Sequence, residues 1–229
     1  MPILPPAPPG VRVVSPVAAD AVDSLRLALL VAYLQSELYS RALATAGFVV
    51  AADATVFGTL SAQETNHVTS LAGLITARLG QVPARPTFDF TAKGALPGFA
   101  FAANQYETFL MLAQAFEDLS VRAYKGQVQA LVADKTALNA ALAIHAVEAR
   151  HAAEVRRIRG KKGWVTGSSR EDLPAFLQPV YDGEELTTQG TVDVVAGVGS
   201  FGGAETASQA FDEPLTTAQV TAIITPFIT

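Results

Sequence analysis

The sequence predicts an all-α fold: an antiparallel four-helix bundle with one long crossover, followed by a Gly-rich, irregular C-terminal extension. Three observations carry this expectation. Apolar residues recur at helical spacing in four long segments. The break between the second and third segments is long and rich in proline and glycine. The same short pattern, Glu-x-x-His, appears once in the second segment and once in the fourth.

The elements follow in order. Residues 1–19, opening MPILPPAPPGVRVVSP, read as an extended, polyproline-like arm. They have no basic n-region, and prolines break each apolar stretch, so no signal peptide is expected. A first helix is expected from about Asp20 to Ala46, with Leu25, Leu29, Ala32, Tyr33 and Ala42 at helical spacing and Gly47 as the stop. A second runs from about Ala52 to Leu79, closed by Gly80, Pro83 and Pro86. Residues 81–103 carry Pro83, Pro86, Gly94, Pro97 and Gly98 and read as a connection without helix. A crossover along a bundle is a physical reason for a loop of that length.

A third helix is expected from about Asn104 to Ala133, with Phe109, Leu112, Phe116, Leu119 and Tyr124 as core candidates. Asp134 and Lys135 form a tight turn before a fourth helix from Thr136 to Arg159. Arg156, Arg157 and Arg159 suit the negative end of its dipole, and Gly160 and Gly163 follow. The bundle thus occupies residues 20–160. Residues 161–229 differ in texture, with Gly190, Gly197, Gly199, Gly202 and Gly203. There TVDVV (191–195) reads as a short strand, and 173–181 and 216–224 as short helices.

Composition narrows the function. Half the residues are hydrophobic and 16% are charged, which excludes a disordered chain. The net charge of −5 offers no basic face for nucleic acid or an anionic membrane. No apolar run approaches the ~20 residues of a membrane span, so a soluble chain is expected, cytoplasmic as given or exported if a signal peptide was removed. The absence of cysteine excludes disulfides, thiolate catalysis, iron–sulfur clusters and a Cys-ligated zinc site.

The chemistry lies in six residues. Two of the three histidines sit in matching patterns, Glu64-Thr65-Asn66-His67 and Glu148-Ala149-Arg150-His151. Residues three apart on a helix share a face, so each pair can grip one cation. The first and third helices each offer a carboxylate in mid-helix, Glu37 and Glu117, among apolar neighbours. The order is Glu, Glu-x-x-His, crossover, Glu, Glu-x-x-His, so each helical hairpin donates the same set. This is the ligand pattern of carboxylate-bridged di-metal bundles. Oxygen donors with one imidazole per metal suit two ions of iron or manganese.

Each residue also has a plainer reading. Ser61-Ala62-Gln63-Glu64 fits a capping box at a helix start, which would occupy Glu64. His145 lies one turn before Glu148 and reads as an ordinary packed or exposed histidine, and Glu154 as a solvated charge or arginine partner. Tyr33 and Tyr124 read as core aromatics, with a role beside the metals as the sharper alternative.

The stretches ALLVAYLQSELYSRAL, SAQETNHVTSLAGLI, AFEDLSVRAYKGQV and AIHAVEARHAAEVRRIRG resemble the ferritin-like superfamily, and its desiccation-related subgroup in particular, with a weaker echo in AFDEPLTTAQV. The resemblance covers residues 20–160. It places Glu37, Glu64, His67, Glu117, Glu148 and His151 on metal-ligand positions. It implies a dinuclear iron or manganese protein that reacts with O2 or hydrogen peroxide, by ferroxidase- or catalase-like chemistry, and it is compatible with a homo-oligomer. The alternative it carries is a stress or desiccation protein in which the bundle is protective and the metal site structural or residual.

Overall fold

The computed structural model describes residues 16–189 and 191–229. Most of the expected N-terminal arm, and Gly190, lie outside the described residues. Four long helices dominate: α1 (Pro16–Ala44), α2 (Ala54–Leu79), α3 (Tyr106–Leu131) and α4 (Lys135–Ile158). They form two hairpins, α1 with α2 and α3 with α4, and α1 packs on α3 to join them. Helix α1 starts four residues earlier than expected, with Pro16 as its first residue, where a missing N–H costs nothing. Among the described residues no helix is long and apolar enough to cross a membrane.

The helix ends follow local chemistry. Gly80 closes α2 with φ 74°, and its N–H reaches Thr76 O. Asp134 caps α4 instead of sharing a turn with Lys135, and its side chain accepts from the Ala137 N–H. Helix α2 begins at Ala54, which puts Ser61 in mid-helix and removes the capping-box role for Glu64.

The crossover from Gly80 to Ala102 has no helix, as expected, and a three-residue 3-10 turn (Ala103–Gln105) leads into α3. It is pinned by the chain's C-terminal end: Phe88 bridges Ile228, Asp89 N donates to Phe227 O at 2.8 Å, and Thr229 N donates to Thr87 O at 3.1 Å. Its Phe88, Phe90 and Phe99 are buried in the main core.

The C-terminal residues belong to the same core. Leu173, Leu177, Val180, Tyr181, Leu215, Val220, Ile224 and Phe227 pack into one continuous apolar cluster with the bundle. A 3-10 helix spans Ala175–Val180, and α7 spans Thr217–Ile224 with a full capping box between Thr216 and Gln219. The stretch expected as a strand, 191–195, is strand only at its centre and turns helical at Val194. Only Val192–Asp193 (β2) pairs with Thr188–Gln189 (β1), after which Asp193 caps the short α5 (Val194–Val198). Helix α6 (Gly203–Ser208) follows.

Three anchors tie this region to the bundle. Arg122 of α3 donates to Val180 O, to Asp182 O at 2.9 Å and to Glu213 O at 2.7 Å, and pairs with Glu184. Arg156 of α4 forms a buried pair with Asp118 of α3, and Tyr181 donates to the same carboxylate at 2.8 Å. Gly126 lets Leu215 lie against α3, since a Cβ there would sit 1.9 Å from Leu215 O.

Candidate metal centre

Helix α2 buries one narrow stripe: Phe57, Leu60, Glu64, His67, Leu71 and Ile75. The spacing of three or four is the period of a single helix face, and the two polar residues sit in its middle. Helix α4 repeats the device with Ala137, Ala141, Ile144, Glu148, His151 and Val155. The two stripes face each other across the bundle, and α3 adds Glu117. Glu64, Glu117 and Glu148 have no solvent exposure, and His151 is 3% exposed.

These side chains converge. One ligand atom each from Glu64, Glu117, Glu148 and His151 can be chosen so that all four lie within 4.8 Å of one another. His67 Nδ1 lies 2.9 Å from Glu148 Oε1 and 3.3 Å from Glu64 Oε2. His151 Nδ1 lies 3.1 Å from Glu64 Oε1 and 3.5 Å from Glu117 Oε2. The two rings are 6.0 Å apart between centroids. The structure thus brings together five of the six expected residues.

The sixth, Glu37, is a correction. It pairs with Arg41 Nε at 2.8 Å and with Arg85 Nη1 of the crossover at 3.1 Å, on the outer side of α1. From residue 35 to 37 a helix turns by about 200°, so the two face opposite ways. The α1 residue that faces the centre is Gln35, fully buried, whose Nε2 lies 3.0 Å from both Glu117 Oε2 and Glu148 Oε2. A signal was present in the sequence. Asp23, Arg26, Glu37 and Arg41 fall on one helical face, which marks that face as the solvent stripe of α1.

Further residues orient the cluster. Tyr39, one turn after Gln35, donates a short hydrogen bond to Glu117 Oε1. Ser120 Oγ donates to Glu148 Oε2 at 2.7 Å. Gln63 Oε1 lies 2.6 Å from His151 Nε2. With that oxygen as acceptor, Nε2 carries a proton and Nδ1 is the nitrogen that faces the carboxylates, the usual outer-shell arrangement around a ligating histidine. Sequence reasoning had not singled out Gln35, Tyr39, Ser120 or Gln63. Ser120 and Gln63 lie one turn from the candidates Glu117 and His67, whereas Gln35 and Tyr39 lie two residues either side of Glu37, on the opposite face of α1.

The other candidates lie elsewhere. Tyr33 donates to Pro83 O at 3.3 Å and lies under Arg85, on the crossover side. Glu154 pairs with Arg157 on the surface. His145 lines an open cleft with Lys125, Leu142 and Asp212. Tyr124 is buried, and its hydroxyl has no hydrogen-bond partner among the described residues.

The electrostatics are those of a site short of positive charge. Burial pushes the Glu117 carboxyl well above its usual range, and Glu148 and Glu64 add to the effect against the pull of His151. Burial opposes charge on His67, yet the facing Glu148 and Glu64 prevail and raise it to about 9. Burial is likewise outweighed at His151 by Glu117 and Glu64, which raise it to about 10. Burial and Glu117 hold the Tyr39 hydroxyl well above its ordinary value.

Despite this crowding, Glu64 Oε1, Glu148 Oε1, His151 Nδ1 and Gln35 Oε1 are buried without an aligned hydrogen bond among the described residues. Buried polar atoms are nearly always satisfied, and several orphans in one cluster indicate a missing partner. Oxygen and imidazole donors at these separations fit a cation. A family model for the ferritin-like domain matches residues 20–161. The chain belongs to the ferritin-like domain family. The match takes in α1 from residue 20 and the whole of α2, α3 and α4, together with the carboxylate and histidine cluster compatible with a metal site. No curated protein matches the chain.

Proposed function

We propose that this ferritin-like chain is a dinuclear iron or manganese carboxylate protein that reacts with O2 or hydrogen peroxide. The observation that carries the reading is the convergence within 4.8 Å of one ligand atom each from Glu64, Glu117, Glu148 and His151, residues that also carry buried polar atoms without an aligned hydrogen bond. Glu64, His67, Glu117, Glu148 and His151 are the proposed ligands. Once bound, iron or manganese supplies the one-electron steps that ferrous oxidation or peroxide disproportionation requires. The protein's own contribution is position. Tyr39 fixes Glu117, Ser120 fixes Glu148 and Gln63 fixes His151, so the donors are held before a cation arrives. Protons held on the histidines in the metal-free state leave when a cation takes their place. The chain has no cysteine, so a peroxidase cycle would draw electrons from a separate donor.

The test is turnover. Protein loaded anaerobically with ferrous ions is mixed with O2 or hydrogen peroxide, and manganese-loaded protein with peroxide. Consumption of oxidant in at least one combination, lost in Glu64→Ala, is expected. No consumption by metal-loaded protein overturns the redox reading in favour of a protective bundle with a structural metal.

A further inference from the structure

We propose that the centre is built unequal: Gln35 occupies the α1 position where the pseudo-symmetry of the two hairpins calls for a carboxylate. One divalent ion is then held tightly by Glu64, Glu117, Glu148 and His151, and a second, at His67, is held much more weakly. The inference rests on the metal reading proposed above.

The two halves of the centre otherwise match. Helices α2 and α4 each supply Glu-x-x-His from the middle of a buried stripe. Helix α3 supplies Glu117 and α1 supplies Gln35, both fully buried. Glu37 does not replace the missing charge, because Arg41 and Arg85 already neutralise it on the outer face. Gln35 does more than fill space. Its Nε2 donates to Glu117 and Glu148 together, and its Oε1 is buried without a partner. That oxygen is a neutral donor that can ligate but cannot cancel charge.

Charge decides the consequence. The centre holds three carboxylates. Two divalent ions would leave one positive charge uncompensated by carboxylates in a buried site, where charge is costly. A fourth carboxylate would balance them. At separations of a few ångströms and partial screening, one added negative charge changes a cation's affinity on the order of a hundredfold. The four-residue cluster is the compact one, whereas among the described residues His67 approaches the two carboxylates it shares, Glu64 and Glu148.

The experiment is a calorimetric titration of metal-free full-length protein with Mn2+, followed in parallel by electron paramagnetic resonance. The wild type is expected to bind one ion in a tight step and a second at least about tenfold more weakly. At one equivalent it should show the six-line signal of an isolated Mn2+. Gln35→Glu should tighten the second step by at least about tenfold, and its spectrum should show a spin-coupled pair at two equivalents. Glu37→Gln should leave both steps unchanged within about twofold. Two equal sites in the wild type, or loss of the second ion in Glu37→Gln, overturns the inference and leaves the metal reading intact. No Mn2+ binding by the wild type overturns both. If Gln35→Glu does not fold, the wild-type and Glu37→Gln titrations still decide.

Discussion

Helices α2 and α3 each deliver a carboxylate to the same centre, yet they are held in opposite ways. Helix α2 buries one stripe and turns its remaining faces, Gly58, Asn66 and Gly73 among them, to solvent. Helix α3 is buried almost all round, because α1 and α4 cover one side and the C-terminal residues cover the other. Its Arg122 and Gly126 serve that second contact, and Asp118, paired with Arg156 of α4, also accepts from Tyr181 of the C-terminal cover. The difference teaches that a ligand on a one-sided helix tolerates change around it. A ligand on a two-sided helix depends on the packing behind it.

Substitutions can sharpen or break this contrast. The largest effect is expected for Arg156→Met, which strands the buried Asp118 carboxylate behind Glu117. Removing one partner of a buried pair costs about 3–5 kcal/mol, and denaturant unfolding should show a loss of that size. A loss under about 1 kcal/mol would mean that the buried pair between α3 and α4 does not support α3 behind Glu117.

Gly126→Ala comes next. Its Cβ would collide with Leu215 O, so α3 or the cover must shift, at about 1–3 kcal/mol. The counterpart on α2 should have the opposite sign. Gly58 and Gly73 have open space where a Cβ would go, and alanine is the better helix former. Gly58→Ala and Gly73→Ala should each raise stability by about 0.5–1 kcal/mol in thermal or denaturant unfolding. Equal signs at Gly126 and Gly73 would erase the contrast.

The same contrast explains what the sequence made legible. On α2 and α4 the repeated Glu-x-x-His pattern was enough to single out Glu64, His67, Glu148 and His151, and the narrow buried stripes of the two helices hold them on the inner face. Helix α1 is buried on most sides from Ala21 to Tyr39, so apolar neighbours surround Gln35 and Glu37 alike and do not distinguish them. Glu37 was favoured because it is a carboxylate. The argument that corrects it is the phase of the charged residues, which places Glu37 beside Arg41. On α3, Glu117 and Asp118 are both buried acids, and only the packing shows that one serves the centre and the other Arg156. The four helices and the crossover were legible because prolines and glycines mark their ends. The short helices at 175–180 and 217–224 were legible too, but their packing on the bundle was not, since it comes from contacts with distant residues such as Arg122 and Thr87.

The most direct test of the central claim is metal content per chain in protein purified without chelators or added metal. It is measured beside a Glu64→Ala/Glu148→Ala double variant, with both proteins also reconstituted anaerobically with ferrous or manganous ions. The account predicts at least one iron or manganese per wild-type chain, approaching two at saturating metal, and none in the variant. A wild-type protein that holds no metal even after reconstitution would contradict it.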